Sequence, residues 1–216
     1  MNAEIQRQMM VDGQIRTNEV SDPALLEALY TLPREIFVPD TSVAVAYSDL
    51  EIPLGHGRSM PTPMVCAKMI QALSLVPGEK VLDVAGGTGY SAALMARIGA
   101  IVTALEDNAD LTALAQVNAQ RLALTAMTAR TGALAEPVNS GEVYDAILVN
   151  GSVDDIPINV LNQLKDRGRL IAVVGHGRSA KAVQVERSGG VFSSRNLFDA
   201  VAPVLAAFQK KPEFVF

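Results

Sequence analysis

The stretch Val81–Tyr90 reads VLDVAGGTGY, and this stretch decides the fold. The apolar run from Lys80 to Ala85 predicts a buried strand, and a helix is predicted from Tyr90 to Ile98. The glycines between them let the backbone turn sharply and approach a ligand with no side chain in the way. A strand, a glycine-rich turn and a helix in immediate succession indicate a nucleotide-binding turn.

The chain after this turn alternates short apolar runs with helical patterns. Such alternation predicts an α/β fold, a doubly wound and mostly parallel sheet with helices on both faces. After Gly175, alternating valines on either side of Ser188-Gly189-Gly190 predict an antiparallel hairpin that closes the sheet. The further predicted strands are 100–105, near 127, 146–149 and 169–174, and the further helices are 109–122 and 156–164.

The first 77 residues predict a helical layer. Residues 2–15 can form an amphipathic helix, Asp22 is a cap residue before Pro23, and Thr62 can cap a helix that starts at Pro63. Prolines and glycines are dense between residues 38 and 63, which predicts a long loop with a functional role. We therefore expect one domain, with a helical N-terminal elaboration and active-site loop (1–77), a cofactor-binding α/β core (78–180), and C-terminal strands and a tail (181–216).

Composition excludes several classes of function. The chain has 216 residues, 49% hydrophobic and 19% charged, which suits one buried core. A net charge of -5 disfavours binding to nucleic acid or to an anionic membrane. The single Cys66 and the absence of metal-ligand spacing predict no disulfide and no metal, and favour the cytoplasm. The polar N-terminus and the lack of a long apolar run predict an unprocessed chain without a membrane span.

The turn also limits the ligand. Gly87 and Gly89 match neither the dinucleotide fingerprint nor a P-loop, so no phosphate clamp is indicated. Glu106 ends the next strand about twenty residues later, where a carboxylate can bind both ribose hydroxyls. Asp83 could accept hydrogen bonds from a cationic ligand, directly or through water. The alternative is that the glycines only tighten a turn in another nucleotide-type fold.

Together these features resemble class I methyltransferases that use S-adenosylmethionine. The similarity to one family, the protein-L-isoaspartate O-methyltransferases, covers nearly the whole chain. It rests on PREIFVP at 33–39, IPLGHG at 52–57, YDAILV at 144–149, and the pattern from Leu161 to Ile171. The resemblance implies protein repair, in which a methyl group passes from S-adenosylmethionine to an isoaspartyl carboxylate and S-adenosylhomocysteine is released.

The sequence departs from the family pattern at three places. The family has Gln-Thr-Ile-Ser-Gln-Pro where residues 58–63 read RSMPTP, so its active-site serine falls on Pro61, which has no hydroxyl. Ala85 replaces a glycine of the turn. Gly132-Ala133 stands where the family has Gly-Asp, and Glu136 would replace that carboxylate only if its loop bends.

The resemblance also implies how the chemistry is carried. An ionised carboxylate needs no general base to accept a methyl group, so alignment is the main requirement, and the sequence shows no Ser-His-Asp arrangement. We expect two catalytic residues, Arg58 pairing bidentately with the substrate carboxylate and Ser59 donating a hydrogen bond. The cofactor-binding prediction requires an open crevice into which Glu106 points. The predicted cofactor-binding residues are Ser59, Met60, Asp83, Ala85, Gly86, Gly87, Gly89, Glu106, Asp107, Gly132 and Ala133.

One pentapeptide, GHGRS, occurs twice, at Gly55–Ser59 and at Gly175–Ser179. Both copies are expected at the same edge of the sheet, where together they could bind an anionic substrate. The alternative is a coincidence between two glycine-rich loops.

Three questions stay open in the sequence. The methyl acceptor can be an isoaspartyl protein, another peptide or a small acid. Ala85, Pro61 and Ala133 support the alternative of a non-catalytic cofactor-binding or scaffold protein with the same fold. The protein can be a monomer or a homodimer.

Overall fold

The computed structural model describes residues 2–139 and 141–210. Within these residues, seven strands form one sheet in the order β5-β4-β3-β6-β7-β8-β9, and β1 and β2 form a separate hairpin. The predicted tail from residue 211 onward lies outside the described residues. The strands are β1 (Ile52–Gly55), β2 (Arg58–Met60), β3 (Lys80–Val84), β4 (Ile101–Glu106), β5 (Met127–Thr131), β6 (Tyr144–Val153), β7 (Leu164–Val174), β8 (Lys181–Ser188) and β9 (Val191–Asp199).

The sheet is wound in two directions from its centre. Strands β3 to β7 are parallel, with β4 and β5 on one side of β3 and β6 and β7 on the other. The direction of winding therefore reverses at β3, and ligands of such sheets bind at this switch point, beyond the carboxyl ends of the strands. Antiparallel β8 and β9 complete the sheet. The predicted doubly wound fold and C-terminal hairpin are confirmed.

Helices cover the sheet unequally. The helices are α1 (Ala3–Met10), α2 (Pro23–Thr31), α3 (Pro63–Leu73), α4 (Tyr90–Ile98), α5 (Ala109–Arg121) and α6 (Ile158–Leu161). Side chains of β3 alternate between two cores, with Val81 packed on the face of α3, α4 and α5 and Leu82 on the face of α6. Across the described residues, every helix is too short or too polar to cross a lipid bilayer.

The N-terminal layer follows its local sequence signals. An Asp22 oxygen accepts a hydrogen bond from the N–H of Leu25 at 3.0 Å, with Pro23 in the first turn of α2. Thr62 Oγ1 accepts from the N–H of Val65 at 3.3 Å and caps α3. Both predicted caps are confirmed. The predicted helix 2–15 divides into α1 and a π-helix over Val11–Ile15.

Two predicted segments are wrong. The expected loop 38–63 contains a 3-10 helix, Asp40–Val45, and the β1–β2 hairpin. The hairpin forms because His56 (φ 52°) and Gly57 (φ 70°) both adopt positive φ, the requirement of a two-residue type I′ turn. The expected helix 156–164 is reduced to α6, because β7 already begins at Leu164, where it pairs with Tyr144 of β6.

Candidate active site

The turn after β3 holds three residues in the left-handed region. Ala85 has φ 60°, Gly87 62° and Gly89 93°, and α4 begins at Tyr90. Left-handed backbone is readily adopted by glycine, but an L side chain at such a position costs about 1 kcal/mol. The alanine at 85 therefore adopts this turn conformation with some strain.

Asp83 lies beneath this turn and bonds to the protein itself. Its Oδ2 accepts a hydrogen bond from Ser91 Oγ at 2.8 Å, and its Oδ1 accepts from Asn150 Nδ2 at 2.5 Å. A side chain at Gly86 would overlap the Asp83 carboxyl group, so this glycine permits the close approach. Burial raises the pKa of Asp83 to about 7, although the two hydrogen bonds oppose the shift. Asp83 thus joins β3 to α4 and β6, and its predicted contact with a ligand stays a prediction.

Glu106 ends β4 and is only 3% exposed. Its Oε1 accepts hydrogen bonds from the N–H of Gly87 at 2.7 Å and from Arg58 Nε at 3.0 Å. Its Oε2 accepts from Arg58 Nη2 and from the N–H of Asp107, each at 3.2 Å. Burial raises the pKa of Glu106, and the charge of Arg58 opposes that rise. Glu106 is the residue predicted to bind the ribose hydroxyls. Both of its carboxylate oxygens therefore already accept hydrogen bonds from this chain.

Arg58 reaches Glu106 from the hairpin and is 6% exposed. Its Nη2 also pairs with Asp107 Oδ1 at 2.9 Å, so one guanidinium bridges two neighbouring carboxylates. We expected Arg58 to hold a substrate carboxylate, whereas the structure pairs it with the protein's own. Its contact with substrate stays a prediction.

Leu54 of β1 makes an apolar contact with the glycine turn, beside the ion pair of Arg58 with Glu106. A Cβ built on Gly87 would overlap Leu54 Cδ1 and would lie 3.5 Å from Arg58 Cγ. The side chains of β1 and β2 therefore lie directly on the turn, in the space that the glycine leaves free. At the tip of the hairpin, His56 Nε2 is 3.4 Å from Asp110 Oδ2 of α5, and both side chains are exposed.

The segment after Arg58 completes β2 and leads into α3. Ser59 is half-buried and pairs with Pro53 in the hairpin, and Met60 is buried. The carbonyl oxygen of Pro61 accepts a hydrogen bond from Arg34 Nη2 at 2.8 Å. Arg34 is fully buried, bonds to the carbonyl of Ala46 at 2.9 Å, and stacks on the ring of Tyr90 at 4.7 Å.

Sequence reasoning missed Arg34, Ser91, Asn150 and Leu54. The family-like motif PREIFVP at 33–39, which contains Arg34, was the available signal for Arg34. Ser91 could have been placed near Asp83 from its position in the first turn of α4. The contacts of Leu54 and Asn150 could not be predicted, because they join segments that are distant in the sequence.

Gly132 and Ala133 lie at the far side of Glu106, after β5. The N–H of Gly132 donates to the carbonyl of Glu106 at 2.8 Å. Ala133 is exposed at the rim of a surface cavity of about 390 Å³ that Leu105 also lines. Glu136 is exposed and accepts a hydrogen bond from Asn159 at 3.3 Å, so it does not take the place of the family's carboxylate.

The second pentapeptide lies beyond β7, and its contacts correct one expectation. His176 Nδ1 is 3.1 Å from Ser152 Oγ, and its Nε2 is 2.5 Å from Asp154 Oδ1. A Ser-His-Asp arrangement is therefore present, although none was expected. Ser152 is 1% exposed and its hydroxyl donates to the carbonyl of Gly175, so it is not available as a nucleophile. Arg178 is exposed.

The doubly wound sheet and the glycine turn at its switch point define a class I methyltransferase fold. The family model for protein-L-isoaspartate(D-aspartate) O-methyltransferase matches residues 5–204. The chain belongs to this family, as its sequence motifs predicted.

Relatives carry the same family name. A protein-L-isoaspartate O-methyltransferase of Methylorubrum extorquens is 38% identical over 183 residues, which cover 85% of this chain and 80% of that one. The one from Koribacter versatilis is 33% identical over 195 residues, covering 90% and 88%. Two solved structures with this name share the fold. One has a TM-score of 0.79 at 23% identity, covering 96% of this chain and 67% of that chain. The other, from Plasmodium falciparum and in complex with S-adenosyl-L-homocysteine, has a TM-score of 0.76 at 20% identity, covering 94% and 99%.

The family implies a cofactor, and the closed crevice does not fit it. Binding of both ribose hydroxyls by Glu106 needs free carboxylate oxygens, and Arg58 with two backbone N–H groups engages both. Leu54 lies against the glycine over which a ligand would pass. In this arrangement Arg58 and Leu54 of the hairpin lie against Glu106 and Gly87, so the predicted binding of the cofactor by these two residues stays a prediction.

Proposed function

We propose that this protein is an S-adenosylmethionine-dependent O-methyltransferase that methylates the carboxylate of L-isoaspartyl residues in damaged proteins or peptides. The observation that carries the proposal is the family match, which extends from residue 5 to residue 204 and so includes the N-terminal layer and the hairpin as well as the sheet. The relatives named above carry this activity in their names.

We assign different roles in such a site to the glycine turn with Glu106 and to Ser59 of the hairpin. The N–H of Gly87 donates a hydrogen bond to Glu106 Oε1 at 2.7 Å, which joins the glycine turn to the end of β4. The hydroxyl of Thr62, next to Pro61, caps α3, so the next hydroxyl in sequence to the position of the family's serine is that of Ser59, which is half-buried on the hairpin. We assign acceptor positioning to Ser59, because Pro61 offers only a carbonyl and Arg34 already engages it.

A second candidate is a non-catalytic member of the fold. The ion pair of Arg58 with Glu106 and the proline at position 61 favour it, because both remove groups that the family's chemistry uses. Carboxyl methylation of another peptide or of a small acid is a third candidate, and the same substitution at 61 supports it.

A radiolabelled methyl-transfer assay separates these candidates. We expect transfer to a synthetic peptide that contains one L-isoaspartyl residue, and none to the same peptide with aspartate at that position. Equal labelling of both peptides, or labelling of small acids only, would contradict the isoaspartyl assignment. No transfer to any of these acceptors would favour the non-catalytic candidate.

We also infer a cytoplasmic protein that takes a protein or peptide substrate, not nucleic acid, as a monomer or homodimer. The net charge of -5 supports the choice of partner. Cys66 is buried, and burial raises the pKa of its thiol to about 12, so this cysteine is held as a neutral core residue.

A further inference from the structure

In the crevice predicted to bind the methyl donor, the charged side chain of Arg58 binds the carboxylate of Glu106. The Arg58 guanidinium is within hydrogen-bond distance of both oxygens of Glu106 and of Asp107 Oδ1. Arginine in this forked geometry satisfies a carboxylate as completely as two ribose hydroxyls would, and with opposite charge. The guanidinium and a ribose cannot both bind Glu106.

Arg58 belongs to the β1–β2 hairpin, which is separate from the seven-stranded sheet. β1 and β2 pair with each other and take no part in the seven-stranded sheet. The tip of the hairpin is held by the ion pairs of Arg58, the packing of Leu54 on Gly87, and the exposed pair of His56 with Asp110, whereas Ile52 and Met60 at its base are buried in the core. The tip of the hairpin can therefore move away from Glu106 without breaking any strand-pairing hydrogen bond of the seven-stranded sheet, while its base stays packed in the core.

We propose that Arg58 is an internal competitor of the methyl donor, so that the hairpin closes the crevice until the donor displaces the guanidinium from Glu106. This inference rests on the proposed function, since it assumes that the crevice receives an adenosyl group. A site that is open only part of the time lowers the apparent affinity by the fraction that is open. Arg58 thus sets the donor concentration at which the protein becomes active.

Titration calorimetry with S-adenosylhomocysteine tests the competition directly. The decisive variant is Arg58→Gln, which places the family's glutamine at this position and removes the charge. We expect it to bind at least about tenfold more tightly than the wild type, because the closed state loses its ion pairs. Arg178→Gln is the matched control, since it changes the exposed arginine of the second pentapeptide and should leave the affinity unchanged.

A second variant covers the case in which Arg58→Gln folds poorly. Arg58→Lys keeps a positive charge near Glu106 but loses the fork, and we expect an affinity between those of the wild type and Arg58→Gln. Glu106→Gln combined with Arg58→Gln should return the affinity to the wild-type level or below, because the ribose ligand is then weakened.

The outcomes distinguish this inference from the proposed function. Equal affinity of the wild type and both Arg58 variants overturns the competition and leaves the function standing. Weaker binding by Arg58→Gln also overturns it, since Arg58 would then contact the donor. Tighter binding without methyl transfer to the isoaspartyl peptide supports the competition and rejects the acceptor. Absence of binding by every variant rejects both.

Discussion

The two GHGRS pentapeptides have the same sequence but differ in the backbone conformation of the histidine and in the burial of the arginine. In the first, His56 has φ 52° at the tip of a hairpin, and Arg58 is buried against two carboxylates. In the second, His176 has φ -131°, and Arg178 is exposed in a 3-10 turn. Among the described hydrogen bonds and ion pairs, none joins the two segments, so their predicted joint anion site is not assembled by such contacts.

The difference shows that the surroundings choose the conformation. The glycines at 55, 57, 175 and 177 all have positive φ, so the sequence supplies the same permissive backbone twice. In the first copy, two acidic residues at the end of β4 engage the arginine. In the second, Asp154 and Ser152 engage the histidine instead. Among the described ion pairs, both the arginine and the histidine of the first copy therefore contact acidic residues, whereas in the second copy only the histidine does.

The largest expected effect is the difference in unfolding free energy between variants that lack one or the other arginine. Arg58→Ala leaves Glu106 buried without its cation, which costs about 3–5 kcal/mol of unfolding free energy, whereas Arg178→Ala changes a surface residue and should stay within about 0.5 kcal/mol. Urea unfolding at neutral pH measures both. Similar losses in the two variants would mean that the buried ion pair has no special weight and that the contrast between the pentapeptides is only geometric.

A second test concerns the two buried carboxylates near the first pentapeptide. Glu106 has a cation beside it, whereas Asp83 is held by neutral donors and its pKa is raised from 3.8 to about 7. Between those values the folded protein keeps a proton that the unfolded chain releases, so the unfolding free energy falls as pH rises from about 4 to 7. Asp83→Asn should remove that decline and gain a few kcal/mol relative to the wild type at pH 8.

The control for Asp83→Asn is Asp110→Asn, which changes an exposed carboxylate below the hairpin tip. It should keep the wild-type dependence of unfolding free energy on pH. If Asp83→Asn were less stable than the wild type at pH 8 as well as at pH 5, Asp83 would be ionised at neutral pH and its hydrogen bonds would outweigh its burial.

The sequence predicted what depends on neighbours along the chain. The caps Asp22 and Thr62, the glycine turn at 85–89 and the doubly wound, mostly parallel sheet are local or follow general rules of α/β folds, and the structure has them. The direction of Arg58 depends on Glu106, 48 positions away, and the contact of Ser152 with His176 depends on the pairing of β6 with β7. Such contacts carry no local signature, so the closure of the crevice was not foreseen.

The smallest expected effect is the difference in urea midpoint between variants that replace one or the other histidine with glycine. His56→Gly relieves the left-handed backbone and loses only an exposed pair with Asp110, so the urea midpoint should be unchanged or slightly higher. His176→Gly sits at an extended position where glycine offers no relief. Backbone entropy alone costs about 0.5–1 kcal/mol there, and the contact with Ser152 is lost as well. Equal midpoints would show that the second histidine is held by its glycine neighbours and not by Ser152 and Asp154.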